Sequence, residues 1–125
     1  SIHCPLTPET THLLDWEQFR RMKPGMVLVN TARGPIIREA ALVQAIQENT
    51  IRAAGLDVFE QEPLPADSPL VQLDRVVLTP HISATSSQAR HKLYQLLCEL
   101  TRDVFAGQQP PFLVNPSVLE HPRQR

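Results

Sequence analysis

The chain has 125 residues, 42% of them apolar, and 12 Lys and Arg against 13 Asp and Glu leave a net charge of −1. That length suits one modest domain with a real core, and the interspersed charge leaves no footprint for nucleic acid and no polybasic patch for a membrane. No apolar stretch approaches the length of a membrane span.

Ser1-Ile2-His3-Cys4-Pro5 reads as the tail of a strand, and no signal-like pairing of a cationic with an apolar segment opens the chain. Asp15 reads as a helix N-cap with Gln18 three residues on, and Lys23-Pro24-Gly25 as the turn that closes that helix. Met26-Val27-Leu28-Val29-Asn30 is a continuous apolar run, expected as a parallel strand buried on both faces. A helix is expected over residues 39–48, burying Leu42, Ala45 and Ile46, with Asn49 in the left-handed position that ends it. Residues 51–59 carry the next strand, 61–69 a proline-rich loop and 75–78 a short strand. From 85 to 106, Leu93, Leu96, Leu97, Leu100, Val104 and Phe105 recur at helical spacing, and Gly107 ends the helix. Residues 108–125 read as an extended, proline-rich tail. The alternation points to an α/β domain with a parallel sheet, divided as 1–107 and 108–125.

Three side chains fall just beyond the three apolar runs: Arg33, Glu62 and His81. Parallel strands would gather them at the carboxyl edge, where open α/β sheets bind ligands. Arg33 offers a planar fork of donors suited to a carboxylate. A carboxylate at Glu62 bonded to one nitrogen of His81 would fix the ring and leave the other nitrogen to move a proton. Taken singly, each also has a plainer reading, as a solvated Arg or a loop His. Asp57, in an apolar run, is either a ligand acceptor or a structural cap or ion pair, with Arg52 or Arg75 as partner. The two cysteines, Cys4 and Cys98, are expected as free thiols in a reducing cytoplasm, and the five histidines form no metal-like cluster.

Five segments occur in order: His3 to Thr10, Met22-Lys23-Pro24-Gly25, Val29 to Gly34, Ala54 to Phe59 with Glu62-Pro63-Leu64-Pro65, and Thr79-Pro80-His81-Ile82 with Ala84-Thr85. Together they resemble the D-isomer-specific 2-hydroxyacid dehydrogenases over roughly residues 1–110. The resemblance implies the second half of a Rossmann-like, doubly wound nucleotide domain with a long C-terminal helix. It implies NAD or NADP as cofactor, a small 2-oxoacid or 2-hydroxyacid as substrate, and a homodimer for the intact enzyme. By motif, Arg33 would bind the substrate carboxylate, His81 would be the acid/base and Glu62 its partner. Asp57 would contact the nicotinamide carboxamide, and Cys4, Pro5 and Thr31 would lie along the nicotinamide-ribose side. Formate dehydrogenases of the same group carry Gln where this chain has Glu62, which favours a 2-hydroxyacid substrate, and the resemblance implies one of the hydroxypyruvate or glyoxylate type.

Two features depart from the pattern. Ile37-Arg38 replaces Val followed by Asp or Asn, so the helix after Arg33 is expected to lack its usual N-cap, at a cost of about 1 kcal/mol. No Gly-x-Gly-x-x-Gly occurs, so the turn that holds a pyrophosphate is not among these residues. The expectation is the C-terminal portion of an oxidoreductase, inactive by itself. The competing expectation is a non-enzymatic module of the same descent that senses NAD or binds a protein through the helix at 85–106.

Overall fold

The structure, a computed structural model, describes residues 1–119. The expected residues 120–125 of the tail lie outside that description. The described residues form two compact units, one over Ser1–Ser83 and one that begins at Ala84.

The first unit is built on a parallel sheet of β1 (Met26–Asn30), β2 (Ile51–Leu56) and β3 (Val76–Leu78), in that order. Leu28 pairs with Ala54, Asn30 with Leu56, and Leu56 with Leu78, so the three carboxyl ends are level. Ile2 bridges to Asn30 in parallel and its N–H donates to the Val29 carbonyl at 3.0 Å, which makes the first residues strand-like, as expected. β2 stops at Leu56 rather than continuing to residue 59. The Asp57 N–H still reaches the Asn30 carbonyl at 3.0 Å, but Val58 and Phe59 are buried as loop residues. Their apolarity serves core packing, which is why the run looked longer than the strand.

The crossover between β1 and β2 is α2 (Glu39–Gln47), with Leu42, Ala45 and Ile46 fully buried as the spacing predicts. Arg38 stands at its N-cap and makes no side-chain capping bond. Its guanidinium instead donates to Asp15 at 2.6 Å. At the other end Asn49 adopts φ 61°, and Arg75 donates to the Asn49 side chain at 2.9 Å and the Ile46 carbonyl at 2.7 Å. Arg75 thus adds a charged donor to the Ile46 carbonyl in the last turn of the helix. The short α1 (Trp16–Phe19) begins at Asp15 with the complete capping box and buries Phe19.

β1 is not covered on both faces. Leu28 is buried, while Val27 is 54% and Val29 39% exposed. Within this unit α2 packs against the sheet, and the side of β1 bearing Val27 and Val29 stays open. An apolar run of strand length cannot show by itself which face acquires a neighbour.

The second unit contains α3 (Ser87–Phe105), capped at its start by the Ser86 hydroxyl, which accepts from the Ala89 N–H at 3.2 Å. Gly107 follows in the left-handed region, as expected for a helix stop. None of the residues of α3 is buried. A single turn of 3-10 helix at Pro116–Leu119 interrupts the tail that the sequence suggested was extended. Among the described residues no helix is long and apolar enough to cross a membrane.

Candidate active site

Polar side chains at the end of β1 and just after β2 shape the loops at the carboxyl edge. Asn30, 1% exposed, turns back on the loop that follows it: its amide donates to the Arg33 carbonyl at 2.9 Å and its oxygen accepts from the Ala32 N–H at 3.0 Å. This fixes the backbone that presents Arg33, whose side chain is exposed and donates to the Ala32 carbonyl at 2.7 Å. Sequence reasoning passed over Asn30. The available signal was an amide closing an otherwise apolar strand, where an unpaired polar group would be costly.

Gly34 follows, buried, where the first loop crosses the second. A Cβ there would lie 1.9 Å from both the Phe59 carbonyl carbon and oxygen, and 2.6 Å from the Glu60 nitrogen. Only a residue without a side chain permits that approach, and the approach brings the Arg33 loop against the Phe59–Glu62 turn.

Glu62 and His81 meet as the sequence suggested. Oε2 of Glu62 lies 2.8 Å from Nδ1 of His81, and Oε1 accepts from the Phe59 N–H at 3.1 Å. The imidazole bond above all, then the Phe59 amide, holds the Glu62 carboxyl below its usual range against a smaller opposing effect of burial. The charges of His81 and Arg33 add to the lowering. The pair lines an open cleft of about 680 Å³ with Phe59, Leu64, Leu78 and Thr79. With Nδ1 engaged, the other ring nitrogen of His81 is the one left to meet a ligand.

Arg33 lines a second, more polar cleft of about 640 Å³ together with Cys4, Pro5 and Thr31. The structure therefore assembles the expected residues in two groups: Glu62 with His81, and Cys4, Pro5 and Thr31 with Arg33.

Asp57 belongs to neither lining. It is 3% exposed, and its carboxylate accepts from the Thr79 hydroxyl and, at 2.9 Å each, from the Ile82 and Ser83 N–H groups. The ion pair with Arg52 or Arg75 considered from sequence is not its role: its donors stand on the loop after β3, and Arg75 is occupied at the end of α2. Burial raises the Asp57 carboxyl, but the hydrogen bonds from Thr79, Ile82 and Ser83 outweigh it and hold the group well below the ordinary carboxylate range. These bonds grip the chain on both sides of His81, which sits at φ 55°. A left-handed non-glycine residue costs about 1–2 kcal/mol, and the bonds to Asp57 offset it.

Replacing Asp57 with Asn is therefore expected to destabilise the fold. The amide supplies one oxygen where two were used and turns N–H toward N–H, and a buried donor left unpaired costs about 1–3 kcal/mol. The sign of the pH dependence follows from the depressed carboxyl. The stability from Asp57 is complete above the ordinary Asp range, about pH 4, and is lost as pH falls through its lower folded value. Denaturant titrations should show the gap between wild type and variant at pH 7 closing below about pH 4. A gap independent of pH would show that the carboxylate charge is not what holds the loop.

Among the described residues no group of three or more His, Cys, Asp or Glu is arranged to hold a metal. The parallel sheet, with an Arg, a carboxylate–imidazole pair and a buried Asp at one edge, is a Rossmann-like domain. The sequence model described as D-isomer specific 2-hydroxyacid dehydrogenase, NAD binding domain, matches residues 1–83, and the chain belongs to that family. It is 49% identical over 120 residues to a glyoxylate reductase of Thermofilum pendens, covering 96% of this chain and 35% of that protein. It is 43% identical over 118 residues to glyoxylate/hydroxypyruvate reductase B of Yersinia pestis, covering 94% and 36%. A D-isomer specific 2-hydroxyacid dehydrogenase from Xanthobacter autotrophicus, solved with NADPH and MES, superposes with a TM-score of 0.77 at 39% identity, over 90% of this chain and 46% of that one. The chain thus spans about a third of the length of the curated relatives it matches.

Proposed function

We propose that the full-length protein containing this chain reduces small 2-oxoacids to D-2-hydroxyacids with NADH or NADPH, and that glyoxylate and hydroxypyruvate are its substrates. The observation that carries this reading is the Glu62–His81 pair, 2.8 Å apart at the carboxyl edge of the sheet. The names of the glyoxylate and hydroxypyruvate reductases it resembles support the substrate class.

The bound nicotinamide supplies the hydride. The chain's own residues supply the rest. Arg33 pairs with the substrate carboxylate through its fork of N–H groups and adds positive charge beside the carbonyl. As hydride reaches the carbonyl carbon, the exposed nitrogen of His81 donates a proton to the oxygen. Glu62 holds Nδ1 and so keeps the ring oriented for that transfer. In the oxidative direction the same nitrogen takes the proton back.

The polar cleft of Cys4, Pro5 and Thr31 beside Arg33 fits the ribose side of a nicotinamide. Asp57 holds the His81 loop through the Thr79 hydroxyl and the Ile82 and Ser83 N–H groups, and a contact of its carboxylate with the nicotinamide carboxamide belongs to the same proposal. The homodimer that the resemblance implies and the cytoplasmic location that the cysteines suggest belong to the same proposal. Cys4 and Cys98 are free thiols.

Initial rates of NADH and NADPH oxidation by the full-length protein test the substrate class. Glyoxylate and hydroxypyruvate should both be reduced, hydroxypyruvate to the D-product. Oxidation of neither nicotinamide with either acid, or formation of the L-product, would overturn the reading.

A further inference from the structure

Outside the two clefts, a second carboxylate–imidazole contact joins the segment after Pro5 to the turn that carries Glu62. Nε2 of His12 lies 2.7 Å from Oε1 of Glu60, with both side chains about one-third exposed. The Glu60 N–H donates to Oε1 of Glu39 at 2.5 Å. Glu60 is thus held twice, by its side chain to the N-terminal loop and by its backbone to the first residue of α2. His12 is itself fixed: its N–H donates to the Pro35 carbonyl at 2.8 Å and its backbone lies at φ 51°. A left-handed histidine is uncommon, and here it aims the ring at Glu60.

Two residues beyond Glu60 stands Glu62, in a turn closed on itself by the bond from the Phe59 N–H. The same loop that carries His12 begins at Cys4 and Pro5, which line the Arg33 cleft. The His12–Glu60 contact is therefore a strut between the wall of one cleft and the carboxylate of the other.

We propose that His12 and Glu60 are positioning residues that set the Glu62 carboxylate against His81. The inference rests on the reading of Glu62 and His81 as the acid/base pair. Neither His12 nor Glu60 touches the reacting atoms. Their effect passes through Glu62 alone, so it must vanish when Glu62 can no longer act. Misplacing a reacting group by a fraction of an ångström costs about tenfold or more.

A double-mutant cycle in the full-length enzyme tests this. His12→Ala should lower kcat about tenfold, with KM for the nicotinamide unchanged and the melting temperature within the range of His12→Gln. His12→Gln, whose amide can still donate to Glu60, should recover most of the loss. In a Glu62→Gln background the same His12→Ala change should alter kcat less than about twofold. Equal losses in the two backgrounds would overturn the proposal and leave a merely structural contact. If His12→Ala does not fold, Glu60→Gln takes its place in the cycle. A readout free of activity separates this inference from the functional reading. The Glu62 carboxyl, followed by carbon NMR, should titrate below its usual range in wild type and move back toward it in His12→Ala. An unmoved Glu62 titration would overturn the strut. A wild-type protein that transfers no hydride would instead overturn the functional reading and leave the titration to decide.

Discussion

Replacing His81 with Gln in the full-length enzyme is expected to lower turnover by about 10²–10⁴-fold, the usual worth of a positioned general acid. Gln can still bond to Glu62, so the loop is retained, but its amide cannot deliver a proton to a developing alkoxide. The dissociation constant for NADH or NADPH should change less than about twofold, because the loop is shaped by the bonds that Thr79, Ile82 and Ser83 donate to Asp57 and not by the imidazole. Steady-state kinetics beside a fluorescence titration of the nicotinamide separate the two quantities. Turnover near that of wild type would remove His81 from the chemistry. A large loss of cofactor affinity would reassign it to binding.

The second large effect is expected at Gly34. A methyl group there meets the Phe59 carbonyl at 1.9 Å and the Glu60 nitrogen at 2.6 Å, and these are backbone atoms that cannot swing aside. Ordinary overpacking costs about 1–3 kcal/mol. A methyl driven into the backbone of the second loop should exceed that range, so Gly34→Ala should lower the melting temperature by about 10 °C or prevent folding. Where the variant folds, activity should fall as well, since the clash parts the loop of Arg33 from the turn that holds Glu62. Thermal unfolding by circular dichroism reads the first effect, and a melting temperature within about 2 °C of wild type would contradict it.

Much of this architecture was legible in the residues. The apolar run at β1, the capping box at Asp15 and the left-handed Asn49 are local signals, and each is where spacing put it. The missing cap at Arg38 was local too, although its bond to Asp15, 23 residues away, was not. The Glu62–His81 pair could be suspected because both residues follow strand-like runs, and the parallel sheet brings those ends level.

What escaped shares one physical cause. Asp57 was weighed against arginines, yet its partners are mostly backbone N–H groups 25 and 26 residues on, which every sequence position but proline offers equally. Asn30 spends its amide on backbone within three residues, and nothing in its identity distinguishes that from a ligand contact. His12 and Glu60 are 48 residues apart, and their meeting depends on how close Gly34 lets the two loops come. The exposure of Val27 and Val29 was invisible for a related reason. A strand records that it is apolar, not which of its faces is covered.

The central claim is that Glu62 and His81, with Arg33 at the same edge of the sheet, form the proton-transfer half of a hydride-transfer site. Single-turnover reduction of glyoxylate by the nicotinamide-loaded, full-length protein, wild type beside Glu62→Gln, tests it most directly. The account predicts glyoxylate-dependent loss of reduced-nicotinamide absorbance in wild type, at least about tenfold slower in the variant with equal nicotinamide binding. No such loss in wild type, or equal rates in the two proteins, would contradict it.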